Sequence, residues 1–232
     1  MKDLSKSKVP EFFDQTSKNY DAVVRYSTFD RDNSWKKAIV SKIPYSNTIL
    51  ELACGTGLLT KKIYLANPRA KITAVDITRG YLDLAIDSLQ NSGIEFLCQD
   101  AQQIRLGKKF DCIVTSYLPK YCEPEILVKR CTEHIEDNGV VLLHDFAYPS
   151  NAAVKFLWKC LFKLLQFCAI FLPEWKVAFY ELPKIVKHTT WIEDYKKLFM
   201  KKGFDVTISF QTMGCSCILE AKMLENPVEK KY

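Results

Sequence analysis

The chain has 232 residues, 48% hydrophobic and 26% charged, with a formal net charge of +6. These proportions exclude a disordered, collagenous or low-complexity chain, and no repeat or linker divides it, so a single domain over 1–232 is expected. The amino terminus, MKDLSKSKVPEFFD, lacks the apolar stretch of a secretory signal, so none is expected.

Two helices are expected first, at about 12–24 and 31–43, forming an amino-terminal cap over 10–45. A strand follows at 48–53. Its apolar run, Ile49-Leu50-Glu51-Leu52-Ala53, enters the turn Cys54-Gly55-Thr56-Gly57, and a helix continues over 57–66. The chain holds only 8 glycines, so this pair stands out. Glycines at a strand end let the backbone approach a ligand, and the helix beyond offers unpaired N–H groups. Thr60 stands where the dinucleotide fingerprint has its third glycine. That argues against a nicotinamide or flavin and leaves a nucleoside ligand without phosphates.

The next strand, 71–76, ends in Asp76, about 20 residues past the glycine turn, where a carboxylate in such folds reaches ribose hydroxyls. The alternative is that Asp76 caps the next helix, at 79–91. A short strand at 94–98 leads into Gln99-Asp100-Ala101. Asp100 there either accepts from the exocyclic amine of adenine or is an ordinary loop residue.

Strand 110–116, helix 124–136 and strand 139–146 follow, with Asn138-Gly139 as a turn signal before the last of these. A long apolar helix is expected over 151–172, then a linker, a helix at 191–202, and closing strands at 204–210 and 215–223. Strands alternating with helices imply an α/β, doubly wound, mostly parallel Rossmann-like sheet of about seven strands, with helices on both faces and an antiparallel last strand. Within the long helix, Lys155, Lys159 and Lys163 form one basic stripe beside an aromatic and aliphatic face. Its longest uncharged stretch is about half of the ~20 residues a span needs. Two readings stay open: a lid packed on the domain, over 147–190, or a lid that also makes peripheral membrane contact through 152–172.

The nine cysteines include no CxxC pair and lie mostly in apolar runs. They read as small buried hydrophobes in a reducing, cytoplasmic compartment, with no metal site; Cys215 and Cys217 are expected on one strand face. The positive charge favours an anionic surface without identifying it. The lysines are spread along the chain rather than clustered with aromatics, so no nucleic-acid partner is expected.

The order ELACGTG, AVDIT, CQDAQ, FDCIVTSY resembles the class I S-adenosylmethionine-dependent methyltransferases. Further segments are similar to the ubiquinone/menaquinone C-methyltransferases. They are Phe12 to Asp21 (an F-x-x-x-A-x-x-Y-D entry), Ser34-Trp35-Lys36-Lys37, Leu142 to Phe146, and Lys202 to Val206 followed by Thr212-Met213-Gly214. The resemblance covers about residues 10 to 223.

This resemblance implies S-adenosyl-L-methionine as cofactor. Gly55 and Gly57 would give close backbone approach, Thr60 a contact at the helix start and Asp76 the ribose site. Asp100 with Ala101 would meet the adenine, Ser116 would lie near the reacting end, and Glu51 would order the turn or meet the amino group. Tyr20 would close over the methionine moiety. The implied reaction is C-methylation of a hydroxylated quinol-type ring such as demethylmenaquinol, on a small-molecule or isoprenoid substrate at the cytoplasmic membrane face. A positive group near the ring oxygen would stabilise a phenolate. The family carries an Arg-Asn pair where this chain has Lys120 and Tyr121, so Lys120 keeps the charge and loses the planar fork. His144, with Asp145 beside it, is a candidate proton relay, since histidine titrates near neutral pH. His188 is a weaker candidate, and His134 is expected to be structural. The alternatives are a methyltransferase for another lipid or small aromatic molecule, and a module that binds the nucleoside without turnover.

Overall fold

The computed structural model describes residue 16 and residues 19–223. Its strands are β1 (Thr48–Leu52), β2 (Lys71–Asp76), β3 (Glu95–Cys98), β4 (Phe110–Ser116), β5 (Ile135–Phe146), β6 (Phe204–Gln211) and β7 (Ser216–Met223). The described helices are α1 (Tyr20–Ser27), α2 (Arg31–Val40), α3 (Leu58–Ala66), α4 (Arg79–Ser88), α5 (Pro124–His134), α6 (Ala152–Cys168), α7 (Lys176–His188) and α8 (Trp191–Lys201). Residues 12–15, 17 and 18 of the expected first helix, which include both ends of the F-x-x-x-A part of the entry motif, lie outside the described residues.

The seven strands form one sheet in the order β3-β2-β1-β4-β5-β7-β6. The pairs from β3 to β5 are parallel, and β7 runs antiparallel to both β5 and β6. This is the expected sheet, with β7 as its reversed strand. The strand order turns back between β1 and β4, and in a doubly wound sheet the ligand crevice lies there, beyond the strands' carboxyl ends.

Alternation of side chains builds a core on each face. Leu50, Leu52, Ile113, Val141 and Leu143 pack with Leu127 and Cys131 of α5 and with Trp191, Tyr195 and Phe199 of α8. Ile49, Ile72, Cys112, Val114, Val140 and Leu142 pack with Ile39 of α2 and with Leu59 and Ile63 of α3. The Trp191 indole donates to Phe146 O at 2.8 Å, which fixes α8 against the end of β5.

Three elements differ from the sequence expectation. β5 begins at Ile135, paired with Phe110, and Asn138 (φ 68°) forms an irregularity inside it rather than a turn ahead of it. The long apolar helix stops at Cys168, because Leu172 must leave the helical region before Pro173 (φ −131°, ψ 68°). The expected linker contains α7, whose Phe179 and Val186 are buried two turns apart, and which continues through Pro183. Cys215 lies in the turn before β7, so only Cys217 belongs to the strand. No helix among the described residues is long and apolar enough to cross a membrane.

Phe199 is fully buried and packs edge-on against Phe204, with ring centroids 5.2 Å apart. Phe199→Ala is expected to lower unfolding stability by about 3–5 kcal/mol, read by urea titration. Loss of less than half that would show that α8 does not anchor this core.

Candidate active site

At the end of β1 the chain turns sharply. Ala53 (φ 57°), Gly55 (φ 56°) and Gly57 (φ 84°) are all left-handed, and for Ala53 this is strained. The Gly55 N–H donates to Asp76 Oδ2 at 2.7 Å, and the Thr78 N–H donates to Asp76 Oδ1 at 2.8 Å. Asp76 therefore joins the glycine turn to the end of β2 and also receives an N–H ahead of α4. Burial pushes its carboxyl above the usual range, while these N–H groups pull it back.

Gly57 packs closely on α4: a Cβ there would stand 3.0 Å from the Ala85 Cβ, so its missing side chain lets the turn approach that helix. At Gly55 the nearest group is the Tyr81 ring at 3.7 Å, which leaves room. Thr60 is fully buried in α3 and is not among the walls of the cavity beside the turn.

That cavity has a volume of about 50 Å³, with Glu51, Gly55, Thr56, Ser116, Tyr20 and Tyr117 among its walls. It takes a small polar group and is too small for a nucleoside. Glu51 is buried in β1, and its Oε2 has no hydrogen-bond partner among the described residues. Burial pushes its carboxyl up to about 8, against the opposing pull of Thr60 and Lys36. An unpaired buried acceptor of this kind is costly unless a donor reaches it. An ammonium group would be such a donor, so the turn fits a ligand carrying one. Asp76 and Asp100 are not among these walls. Asp100, past β3, accepts from Gln102 N at 2.8 Å and from Gln103 Nε2 at 3.2 Å, and Ala101 is buried behind it. The structure thus brings Gly55 and Asp76 into contact and leaves Asp100 one strand further along the edge.

α1 and α2 close over the turn. The Thr56 hydroxyl donates to Asp21 Oδ1 at 2.7 Å. The Tyr20 ring lies 5.1 Å from Tyr81 and 5.8 Å from Trp175. Asp32 and Lys36 form an ion pair with both side chains buried, and the Tyr117 hydroxyl donates to Asp32 Oδ1 at 2.8 Å. Tyr117 itself has φ 67°. Asp32 and Lys36 were not expected from the sequence. Their i,i+4 spacing was the available signal, and it reads equally well as a solvated helix pair.

On β4 and β5, Ser116 Oγ lies 2.8 Å from His144 Nδ1, and His144 Nε2 lies 2.6 Å from Ser216 Oγ. Burial first, then Lys36 and Lys120, push this imidazole well below its ordinary pKa. The expected titration near neutrality does not hold: His144 is a neutral ring with both nitrogens engaged, and it positions Ser116. Lys120 Nζ pairs with Asp145 Oδ1 at 2.8 Å, both side chains nearly inaccessible, and also donates to Tyr117 O at 2.7 Å. The ammonium sits 4.2 Å from the Tyr121 ring centroid. Burial lowers the Lys120 pKa and raises that of Asp145. His188 is exposed at the end of α7. His134 is structural, as expected: its Nε2 accepts from Leu106 N at 3.1 Å.

Lys120 and Tyr121 face a second cavity, of about 670 Å³. Its walls are overwhelmingly apolar, with Trp35, Phe146, Trp158, Phe162, Trp175 and Phe179 among them. Tyr20, Val24 and Tyr117 belong to the walls of both cavities. Among the described residues there is no group of three His, Cys, Asp or Glu side chains placed to hold a metal ion.

Comparison with known proteins gives the family likeness of the sequence and the fold. Residues 49–139, from β1 to the irregularity in β5, match the profile of a methyltransferase domain. A malonyl-[acyl-carrier protein] O-methyltransferase of Anoxybacillus flavithermus is 33% identical over 128 residues, which are 53% of this chain and 49% of that protein. A ubiquinone/menaquinone biosynthesis C-methyltransferase, UbiE, of Pseudomonas fluorescens is 27% identical over 157 residues, covering 64% of this chain and 61% of that one. The chain spans about half the length of the curated relatives it matches. In fold, the structure of the DhpI–SAH complex covers 94% of this chain and 96% of that one, with TM-score 0.66 and 13% identity.

Glu51 yields a signed pH prediction. Its folded pKa, about 8, lies above an unfolded value of about 4.3. The native state therefore holds more protons between these values, and stability falls as pH rises through that window. Glu51→Gln should match wild type near pH 4 and exceed it by a few kcal/mol above pH 8. Urea titrations across pH check this, and a gap that does not widen with pH would refute the buried, unpaired carboxyl.

Proposed function

We propose that the protein is an S-adenosylmethionine-dependent methyltransferase acting on an apolar acceptor, with a hydroxylated quinol-type ring as the leading candidate. The observation that carries this reading is the pair of adjoining cavities. One lies at the glycine turn, with an unpaired acid, and the other is large and apolar, with one buried ammonium. Tyr20, Val24 and Tyr117 form the partition between them.

Glu51 and the Gly55 turn would hold the amino-acid end of the cofactor, Asp76 the ribose, and Asp100 with Ala101 the adenine. The cofactor, when bound, supplies a methyl group already activated on a sulfonium. The small cavity is too small for a nucleoside, so binding one on this edge would need its walls, Tyr20 among them, to move. Ser116, set by neutral His144, fixes one wall of the reacting end. In the large cavity the aromatic walls would hold the acceptor ring and exclude water, so that reacting atoms meet in line at near-attack distance. Lys120, steered by Asp145, would stabilise an acceptor oxyanion, and Tyr121 would flank it.

The curated relatives favour a second reading, in which the acceptor is a carboxyl on an acyl chain and the product is a methyl ester. The apolar cavity suits an acyl chain, and Arg31 lies on its wall. Any acceptor anion beside Lys120, phenolate or carboxylate, would share that cation with Asp145, so the pair itself does not separate the two readings. A module that binds the nucleoside without turnover is the third outcome.

Transfer of labelled methyl from S-adenosylmethionine to lipid extract and to demethylmenaquinol separates the three. A base-stable label on the quinol supports C-methylation, base-labile label released as methanol supports ester formation, and no label leaves the binding module. Calorimetry with Asp76→Ala should show about 10- to 100-fold weaker cofactor binding, the loss of one or two charge-assisted hydrogen bonds. Unchanged affinity would remove Asp76 from the ribose site.

A further inference from the structure

Three faces of α6 have different surroundings. Val154, Leu157, Trp158, Leu161 and Leu165 line the large cavity. Phe156 and Phe167 line nothing and are 66% and 60% exposed, and none of the helix's residues is buried. At 3.6 residues per turn, Lys155, Lys159 and Lys163 run immediately beside this exposed strip. No acidic residue stands between Asp145 and Glu174. The helix is about 25 Å long by its rise per residue, enough to lie along a surface and too short to cross a bilayer.

Two other turns complete the same rim. Phe29, between α1 and α2, and Met213, between β6 and β7, are each 72% exposed. Both line the cavity, and both are held left-handed, at φ 52° and 53°. Leu157 and Leu164 of α6 are likewise exposed and on its wall, so three separate parts of the chain bring exposed large apolar side chains to one apolar cavity. Arg31 lies on the cavity wall beside them, and the Arg25–Asp30 pair (3.3 Å) supplies an acid near this turn.

We propose that this rim docks on an anionic lipid bilayer. α6 lies in the interface, with Phe156 and Phe167 among the acyl chains and its lysines at the headgroups, while Phe29 and Met213 seat the cavity mouth against the membrane. A second copy of the chain is a poorer occupant, because a two-fold interface on this strip would bring the two lysine stripes together. The use of the cavity by a lipid acceptor rests on the proposed function; the docking itself stands on exposure and charge.

Flotation with vesicles of phosphatidylglycerol mixed with phosphatidylcholine tests it. The wild-type chain should float with these, more weakly with phosphatidylcholine alone, and less as salt rises. Replacing the stripe (Lys155→Gln, Lys159→Gln, Lys163→Gln) should weaken binding about a hundredfold. Phe156→Ser with Phe167→Ser should abolish it, with the far-ultraviolet spectrum unchanged. Absence of wild-type flotation, variants that float equally well, or a wild-type dimer that the double serine variant dissociates would each overturn the proposal. Methyl transfer to a detergent-dispersed acceptor reads the functional assignment separately: a chain that floats yet labels nothing upholds docking and removes the acceptor.

Discussion

The Lys120–Asp145 pair constrains the architecture of this site more than any other contact. Asp145 ends β5 at full burial, and its carboxylate accepts from the Lys120 side chain at 2.8 Å, from the Lys120 backbone N–H at 3.0 Å and from Phe146 N at 2.7 Å. A buried ion pair forfeits hydration that mutual attraction only partly offsets, so it persists where further hydrogen bonds complete it. Here they do, and they also fix the short turn Pro119–Tyr121 against the sheet. That turn carries Tyr121 and follows Tyr117, so this salt bridge helps set where those two aromatic walls of the large cavity stand. Two apolar residues in place of the whole pair would pack more cheaply, whereas removing Lys120 alone would strand the buried Asp145 carboxylate. What the ammonium adds is a buried charge on the wall of a mostly apolar chamber.

The strands, their number and the mostly parallel sheet with a reversed last strand were legible in the sequence because each cause is local; their order across the sheet was not. Strands of β-branched and aliphatic residues run up to Asp76 or stop just short of Gly55 and Asp100, and alternation assigns residues such as Leu50 and Ile49 to opposite cores. What escaped depended on contacts distant in sequence or on misleading punctuation. Pro183 reads as a break, yet α7 continues through it, because Phe179 and Val186 bury one face. The close packing of Ala85 on Gly57 does not show in the glycine turn alone. His144 reads as a titrating relay, yet the two serines that occupy its nitrogens come from strands β4 and β7, 28 and 72 residues away. The Asp32–Lys36 pair looks like any exposed helix pair until Tyr117, 85 residues on, is seen to donate to it.

Those distant contacts give α1 a role that its own sequence does not announce. The Asn19 side chain donates to Glu174 at 2.9 Å and accepts from the Trp175 indole at 3.0 Å. Two residues later Asp21 holds Thr56 of the glycine turn. One helix therefore grips the turn of the small cavity and the chain reversal beneath the large one, and Tyr20, between these anchors, is a wall of both. The consequence is thermodynamic. A ligand of the small cavity that displaces Tyr20 must disturb its packing against Trp175, and a ligand of the large cavity that moves Trp175 must disturb a wall of the small one. Two binding events that draw on one deformable element are coupled, and the coupling is equal in both directions. Neither cavity can then be treated as a rigid site filled independently of the other. The affinity of each for its ligand includes the free energy of moving a helix they share.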